Sequence, residues 1–83
     1  MVRFGTLEVM CEAAGVCAVA IEPRAVFDAA AVGVVQQHGR WVVAYDRDQV
    51  LELTARENAQ WDRIDVLEWV GFNVAPIVAL VDL

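Results

Sequence analysis

A pair of apolar, β-branched segments constrains the fold of this chain more than any other feature. The segments Val32–Gln36 and Arg40–Tyr45 flank a short polar link at 37–39 that contains a glycine. This arrangement predicts a β-hairpin. Successive side chains of a strand point to opposite faces, and those of the second segment are apolar on both. A sheet that contains this strand must therefore be covered on both sides.

Two short helices are predicted after the hairpin, because an acidic residue that can act as an N-cap precedes each of them. Asp46 should begin a helix near Arg47–Asn58. Asp62, with Asp65 three residues further along, should begin another near Arg63–Val70. The side chains expected in the core are Val50, Leu51 and Thr54 from the first helix and Ile64, Leu67 and Val70 from the second.

The segments before the hairpin carry less specific patterns. Thr6 can cap a short helix that stops at Gly15. The apolar segment 16–21 is compatible with a strand and equally with a buried helical turn. Residues Glu22–Ala30, which contain a proline, predict an irregular or single-turn connection.

The last predicted element is a strand at Val74–Val81, where Pro76, having no N–H to donate, favours an edge position or a bulge. The whole pattern predicts an α+β fold. We expect a small antiparallel sheet, made of the hairpin at about 32–45 and the C-terminal strand, with two or three short helices packed on one face. The 83 residues fit a single domain, 1–83, because two separate cores would each be too small.

The composition excludes several kinds of chemistry. Apolar residues make up 59% of the chain and charged residues 22%, which is unlike a disordered protein. The chain has no lysine and no serine, so a serine nucleophile, a lysine Schiff base and a P-loop lysine are impossible. Cys11, Cys17 and His38 are too few and too irregularly spaced to predict a metal site, and apolar surroundings argue against a reactive thiolate. We therefore expect no enzymatic activity, no metal and no cofactor.

The distribution of apolar residues also predicts the compartment. The longest stretches without charge, 29–39 and 69–81, have eleven and thirteen residues, whereas a membrane-spanning helix needs about 20. The N-terminal residues lack the apolar core of a signal peptide. The sequence therefore predicts a cytoplasmic protein with reduced cysteines.

Negative charge is concentrated in the C-terminal half. The net charge is −6, and residues 41–83 hold eight acidic residues against three arginines. Such a surface repels phosphate, which disfavours nucleic acid or an anionic membrane as a direct partner and favours a basic protein surface. Only Glu52 and Arg56 are spaced to pair along a helix, and a merely solvated acidic face is the alternative interpretation. The predicted partner-binding residues are Asp46, Asp48, Glu52, Asp62, Asp65 and Glu68, with Trp61 and Trp69 as apolar anchors.

Three segments resemble a family of short acidic proteins of phages and prophages. They are residues 23–33 (PRAVFDAAAVG), 39–46 (GRWVVAYD) and 68–73 (EWVGFN), and the resemblance extends over 23–75. After Asn73 the family continues with a segment containing Gly and Glu, whereas this chain has VAPIV. The resemblance implies a phage origin. Small acidic phage proteins frequently act by occupying a component of host defence, and anti-CRISPR proteins, several of which imitate nucleic acid with carboxylates, are the best-known group.

The charge pattern and the resemblance lead to one functional expectation and one alternative. The protein is expected to be a non-enzymatic inhibitor of the anti-CRISPR type. It would bind the basic, nucleic-acid-binding surface of a host protein or ribonucleoprotein defence complex and block the binding of target DNA. The suspected complex is a CRISPR effector. The alternative is a structural or regulatory homo-oligomer, such as a homodimer, whose acidity provides only solubility.

Overall fold

The predicted hairpin is present in the computed structural model, which describes residues 20–83. Strands β1 (Ala31–Gln37) and β2 (Arg40–Asp46) pair antiparallel, with Gln37 opposite Arg40. The link is therefore two residues long, one fewer than predicted. Both of its residues have positive φ, 52° at His38 and 78° at Gly39, which is the geometry that matches the twist of a two-residue hairpin.

The third strand, β3 (Ala79–Val81), lies beside β2 and runs parallel to it. The predicted C-terminal strand is thus confirmed, but the sheet is mixed and the expectation of a fully antiparallel sheet is wrong. The reason is the route of the chain between the two strands. Helices α2 (Arg47–Glu57) and α3 (Arg63–Trp69) form a crossover that returns the chain in its original direction.

The C-terminal strand is also shorter than predicted, because local hydrogen bonds take the start of the predicted segment. A π-helix (Val70–Val74) continues directly from α3, and the N–H of Ala75 donates to the carbonyl of Val70 at 2.9 Å. The N–H groups of Ile77 and Val78 both donate to the carbonyl of Val74. These donors are consequently not available to a β-ladder, and the strand begins only at Ala79.

The beginnings of both predicted helices are confirmed. The side chain of Asp46 accepts hydrogen bonds from the N–H groups of Asp48 and Gln49 and caps α2. Asp62 and Asp65 form a reciprocal capping box at the start of α3. Before the sheet, the predicted single-turn connection is a short helix, α1 (Arg24–Phe27), followed by a 3-10 turn (Asp28–Ala30). The predicted helix at 6–15 and residues 16–19 lie outside the described residues.

The buried face of α2 agrees with the prediction, whereas that of α3 differs from it. Val50 and Thr54 are buried on α2, and Leu51 is half-buried against the main core. On α3 the buried residue is Val66, and Ile64 and Leu67 are 64% and 43% exposed. Helix α3 carries two competing apolar stripes. The stripe of Val66 is the one that continues through the π-helix as Val70 and Val74, so it faces the core.

Strand β2 is buried on both faces, as its sequence predicted. One face joins the main core, where the helices pack, and the other joins a smaller cluster made of residues from all three strands. The main core consists of Ile21, Phe27, Ala30, Val34, Val43, Tyr45, Val50, Val70, Val74 and Val78. The smaller cluster consists of the buried residues Val42, Ala44 and Ala79, with the partly buried Val32, Val35 and Val81 packed against them. None of the helices between residues 20 and 83 has the length and apolar character that crossing a bilayer requires.

The buried hydroxyl of Tyr45 should make stability depend on pH in the alkaline range. It accepts a hydrogen bond from the N–H of Ile21 at 2.8 Å. Burial raises the pKa of this hydroxyl, and the hydrogen bond opposes the rise without cancelling it. The unfolded chain therefore loses this proton at a lower pH than the folded protein does. The contribution of Tyr45 to stability is complete below about pH 10 and falls as pH rises towards the folded pKa.

Tyr45 is the only tyrosine of the chain, so its ionisation can be followed directly by tyrosinate absorbance. In the native protein we expect tyrosinate absorbance to appear at a higher pH than for an exposed tyrosine. It should appear together with the loss of helical circular dichroism. The variant Tyr45→Phe should show a flatter alkaline decline in the free energy of unfolding. A tyrosinate that forms near pH 10 in the folded protein would contradict this assignment.

Candidate functional site

An open groove with apolar and acidic lining lies between helices α2 and α3. Its volume is about 420 Å³. We call it the interhelical groove. Its apolar lining is formed by Leu51, Ala55, Val66, Leu67 and Trp61, and its charged lining by Asp48, Glu52, Asp62 and Arg63.

A second groove lies beside it on α3 and the π-helix, and we call it the aromatic groove. Its volume is about 400 Å³, and it is lined by Trp61, Asp65, Glu68, Trp69 and Phe72. Trp61 lines both grooves, so the two share a wall. The structure therefore gathers seven of the eight predicted partner-binding residues along adjoining grooves.

Asp46 is the predicted site residue that lines neither groove. It lies at the junction of β2 and α2, half-buried, and its carboxylate accepts the capping hydrogen bonds of α2. Its charge is therefore occupied by the backbone of its own helix. The structure gives this residue a local role in folding, which is the role of an N-cap.

Asp62 and Asp65 also have structural hydrogen bonds, although both line a groove. Oδ1 of Asp62 accepts from the N–H of Asp65 at 2.9 Å, and Oδ2 of Asp65 accepts from the N–H of Asp62 at 3.2 Å. Each carboxylate uses one of its two oxygens in this exchange. Both side chains are exposed, so the second oxygen of each remains able to meet a partner.

Three ion pairs between residues 20 and 83 neutralise part of the charge. The predicted pair of Glu52 and Arg56 is confirmed at 2.8 Å, and Arg47 lies 3.1 Å from Asp82. The third pair, between Arg24 and Asp28, lies on α1 and the 3-10 turn, away from the grooves. Asp48 and Glu68 have no ion-pair partner among residues 20–83. They are thus the two groove carboxylates with neither a capping nor an ion-pairing role within this range.

The aromatic side chains of the second groove are positioned in two different ways. Trp69 is half-buried and stacks on the buried ring of Phe27, with centroids 6.5 Å apart and planes 18° apart. Trp61 is tilted by 50° against Trp69 at 6.4 Å. Phe72 is 79% exposed. One ring is therefore fixed by the core, and one is held out into solvent.

Phe72 is an exposed groove residue that was not among the predicted partner-binding residues, and Ile64 is exposed although it was expected in the core. Phe72 follows Gly71, which lies just past the predicted end of the helix at Val70. In the structure the π-helix carries the chain past this glycine and leaves Phe72 beside Glu68 and Trp69. A motif such as Glu-Trp-Val-Gly-Phe contains no signal for a π-helix, whose single turns are often found at functional sites.

The remaining candidate residues for metal binding or catalysis lie away from the grooves or outside the described residues. No group of three His, Cys, Asp or Glu side chains between residues 20 and 83 is arranged to hold a metal ion. His38 lies exposed in the hairpin turn, away from both grooves, and Cys11 and Cys17 lie outside the described residues. Carboxylates exposed to water around apolar and aromatic surface are suited to binding a cationic partner.

Comparison with known proteins adds no relative. No protein-family model, curated protein or solved structure matches this chain.

Proposed function

We propose that this protein is a non-enzymatic inhibitor of the anti-CRISPR type. In this proposal it binds the basic, nucleic-acid-binding surface of a host defence complex and excludes target DNA from it. The observation that carries the proposal is the continuous surface of the two adjoining grooves. Of the residues that the structure describes, five carboxylates line it, from Asp48 on α2 to Glu68 on α3, with a single arginine, Arg63.

The electrostatic argument follows from where these carboxylates lie. They are exposed on two adjacent helices, and charges on such a surface act together over a Debye length of about 8 Å at physiological salt. A cationic surface that evolved to hold phosphates would be attracted to them. The apolar residues between the carboxylates would add contact area that polynucleotide phosphates cannot supply, which helps the inhibitor compete.

The second candidate function is that of a homo-oligomer, and it is favoured by a different observation. Ile64, Leu67 and Phe72 are all exposed on α3 and the π-helix that follows it. Exposed apolar residues in a group are typical of a contact between protein chains. Against this candidate, self-association of the α3 surface through a two-fold axis would bring Asp65 and Glu68 towards their own copies, and like charges repel.

The test of the proposal uses two charge reversals that leave the helix caps intact. The variant Asp48→Lys/Glu68→Lys changes the two groove carboxylates that neither cap a helix nor pair with an arginine among residues 20–83. The matched control, Glu22→Lys/Glu57→Lys, makes the same change in charge at exposed residues outside both grooves. The measurement is DNA binding by purified CRISPR effector complexes of each type, with each protein added.

We expect the wild-type protein and the control to prevent DNA binding by at least one complex. At least about tenfold more of the groove variant should be needed for the same inhibition. The reason is that ion pairs with the basic partner surface are lost and the new lysines repel that surface. Equal inhibition by both variants, or inhibition of no complex, would refute the proposal. A wild-type protein that sediments as a stable dimer at all salt concentrations and inhibits no complex would favour the homo-oligomer.

A further inference from the structure

We propose that the aromatic groove binds the guanidinium group of an arginine side chain on the partner protein. This inference rests on the proposed function, because the arginine would belong to the basic surface of the partner. It goes further in assigning one chemical group to one site. The groove combines three aromatic rings with two carboxylates, and this combination is what recognises a planar cation.

The rings provide the surface on which the cation would stack. Trp69 is held by its contact with the buried Phe27, and Trp61 lies against Trp69, so these two rings form a prepared surface. Cations are attracted to the faces of aromatic rings, and tryptophan gives the strongest attraction. Arginine is favoured over lysine here, because its guanidinium is planar and is less strongly hydrated.

Two carboxylates provide hydrogen-bond acceptors at the same place. Oδ2 of Asp65 accepts from the backbone of Asp62, which leaves its other oxygen for a partner. Glu68 has neither an ion pair nor a side-chain hydrogen bond among residues 20–83. A guanidinium has five N–H donors, so it can stack on a ring and donate to a carboxylate at its edge at the same time.

The arginines described in this half of the chain do not fill the groove. Arg47 pairs with Asp82, and Arg56 pairs with Glu52. Arg63 lines the interhelical groove. Among residues 20–83, the lining of the aromatic groove therefore carries negative charge and no positive charge. This imbalance is the charge complementarity that selects a cation as its occupant.

The exposure of Phe72 indicates that the occupant also covers apolar surface. Its side chain is 79% exposed, the largest value among the bulky apolar residues between positions 20 and 83. The π-helix that presents it departs from regular α-helical geometry. An arginine brings three methylene groups with its guanidinium, and these can pack on Phe72 while the charged end reaches Glu68.

The experiment titrates the isolated protein with three capped tripeptides that differ only in the central side chain. They contain arginine, lysine or citrulline, which has the shape of arginine without its charge. The readout is the indole N–H resonances of Trp61 and Trp69 in nuclear magnetic resonance spectra. Trp41, on β2 and outside both grooves, is the internal control.

We expect the arginine peptide to shift the signals of Trp61 and Trp69, but not that of Trp41, with a saturable dissociation constant in the millimolar range. The citrulline peptide should bind about tenfold more weakly, since it loses both the ion pairs and the attraction to the rings. Phe72→Ala should weaken arginine binding about two- to fivefold.

Asp65→Asn/Glu68→Gln should weaken arginine binding more than Asp48→Asn/Glu52→Gln, which removes the same charge from the other groove. The asparagine at 65 retains an oxygen for the capping hydrogen bond. Equal binding of the arginine and citrulline peptides, shifts that include Trp41, or equal losses in the two double variants would overturn the inference. Because the inhibition of DNA binding is measured separately, that assay would still support the proposed function if the peptides failed to bind.

Discussion

Replacing Phe27 by alanine should lower the free energy of unfolding by about 3–5 kcal/mol, the largest effect that we expect from a single substitution. Phe27 is 3% exposed in the main core and supports Trp69 by stacking. Its removal would leave a cavity beneath the aromatic groove. Urea unfolding followed by circular dichroism measures this change, with the midpoint and the slope fitted separately.

The matched control for this prediction is the same substitution at the other phenylalanine of this region, Phe72→Ala. Because Phe72 is exposed, its loss removes little buried area, and we expect a change within about 0.5 kcal/mol. The pair distinguishes a residue that holds the site together from one that the site presents to a partner. A loss of several kcal/mol in Phe72→Ala would show that this ring is packed and would contradict its role in binding.

Removing the capping box of α3 should have the second largest effect. In Asp62→Ala/Asp65→Ala both reciprocal hydrogen bonds are lost, and we expect the free energy of unfolding to fall by about 2 kcal/mol. In Asp62→Asn/Asp65→Asn the amide oxygens can accept the same hydrogen bonds. That variant should lose only a few tenths of a kcal/mol, from the interaction of the charges with the helix dipole.

Thermal unfolding of the two variants at neutral pH provides the measurement. Similar losses in the alanine and asparagine variants would mean that charge, and not hydrogen bonding, stabilises the start of α3. The prediction also matters for tests of function. Reversing the charge of Asp62 or Asp65 would damage the helix that carries the site, so a loss of binding would then have two causes. Asp48 and Glu68 avoid this difficulty.

Much of the fold was predictable because its signals are local. The hairpin follows from two β-branched segments around a glycine-containing link. The starts of both helices follow from the spacing between Asp46 or Asp62 and the apolar residues that come after each in the chain. The pairing of Glu52 with Arg56 depends only on the helix repeat. Each of these features involves residues close in the chain.

The candidate site was predictable in part. The exposure of Asp48 and Glu68 follows from their polarity. Their arrangement around two adjoining grooves does not, because it depends on how α2 and α3 pack against each other. The exposed position of Phe72 in the aromatic groove could not be predicted either, because it depends on the backbone after α3. A glycine after a helix commonly ends it, and here the backbone instead continues through a π-helix.

The sequence by itself determined the hairpin, the capped starts of two helices, the burial of β2 on both faces and the negative charge of the C-terminal half. Only the tertiary structure decided that β3 runs parallel to β2 and that α3 turns Val66 inward and Ile64 outward. The physical reason is that α3 has two apolar stripes but can bury only one of them. The choice depends on residues that are distant in the chain, because Val70 and Val74, on the same stripe as Val66, pack with the core residues of β2 and α2. Turning this stripe inward left the aromatic groove exposed.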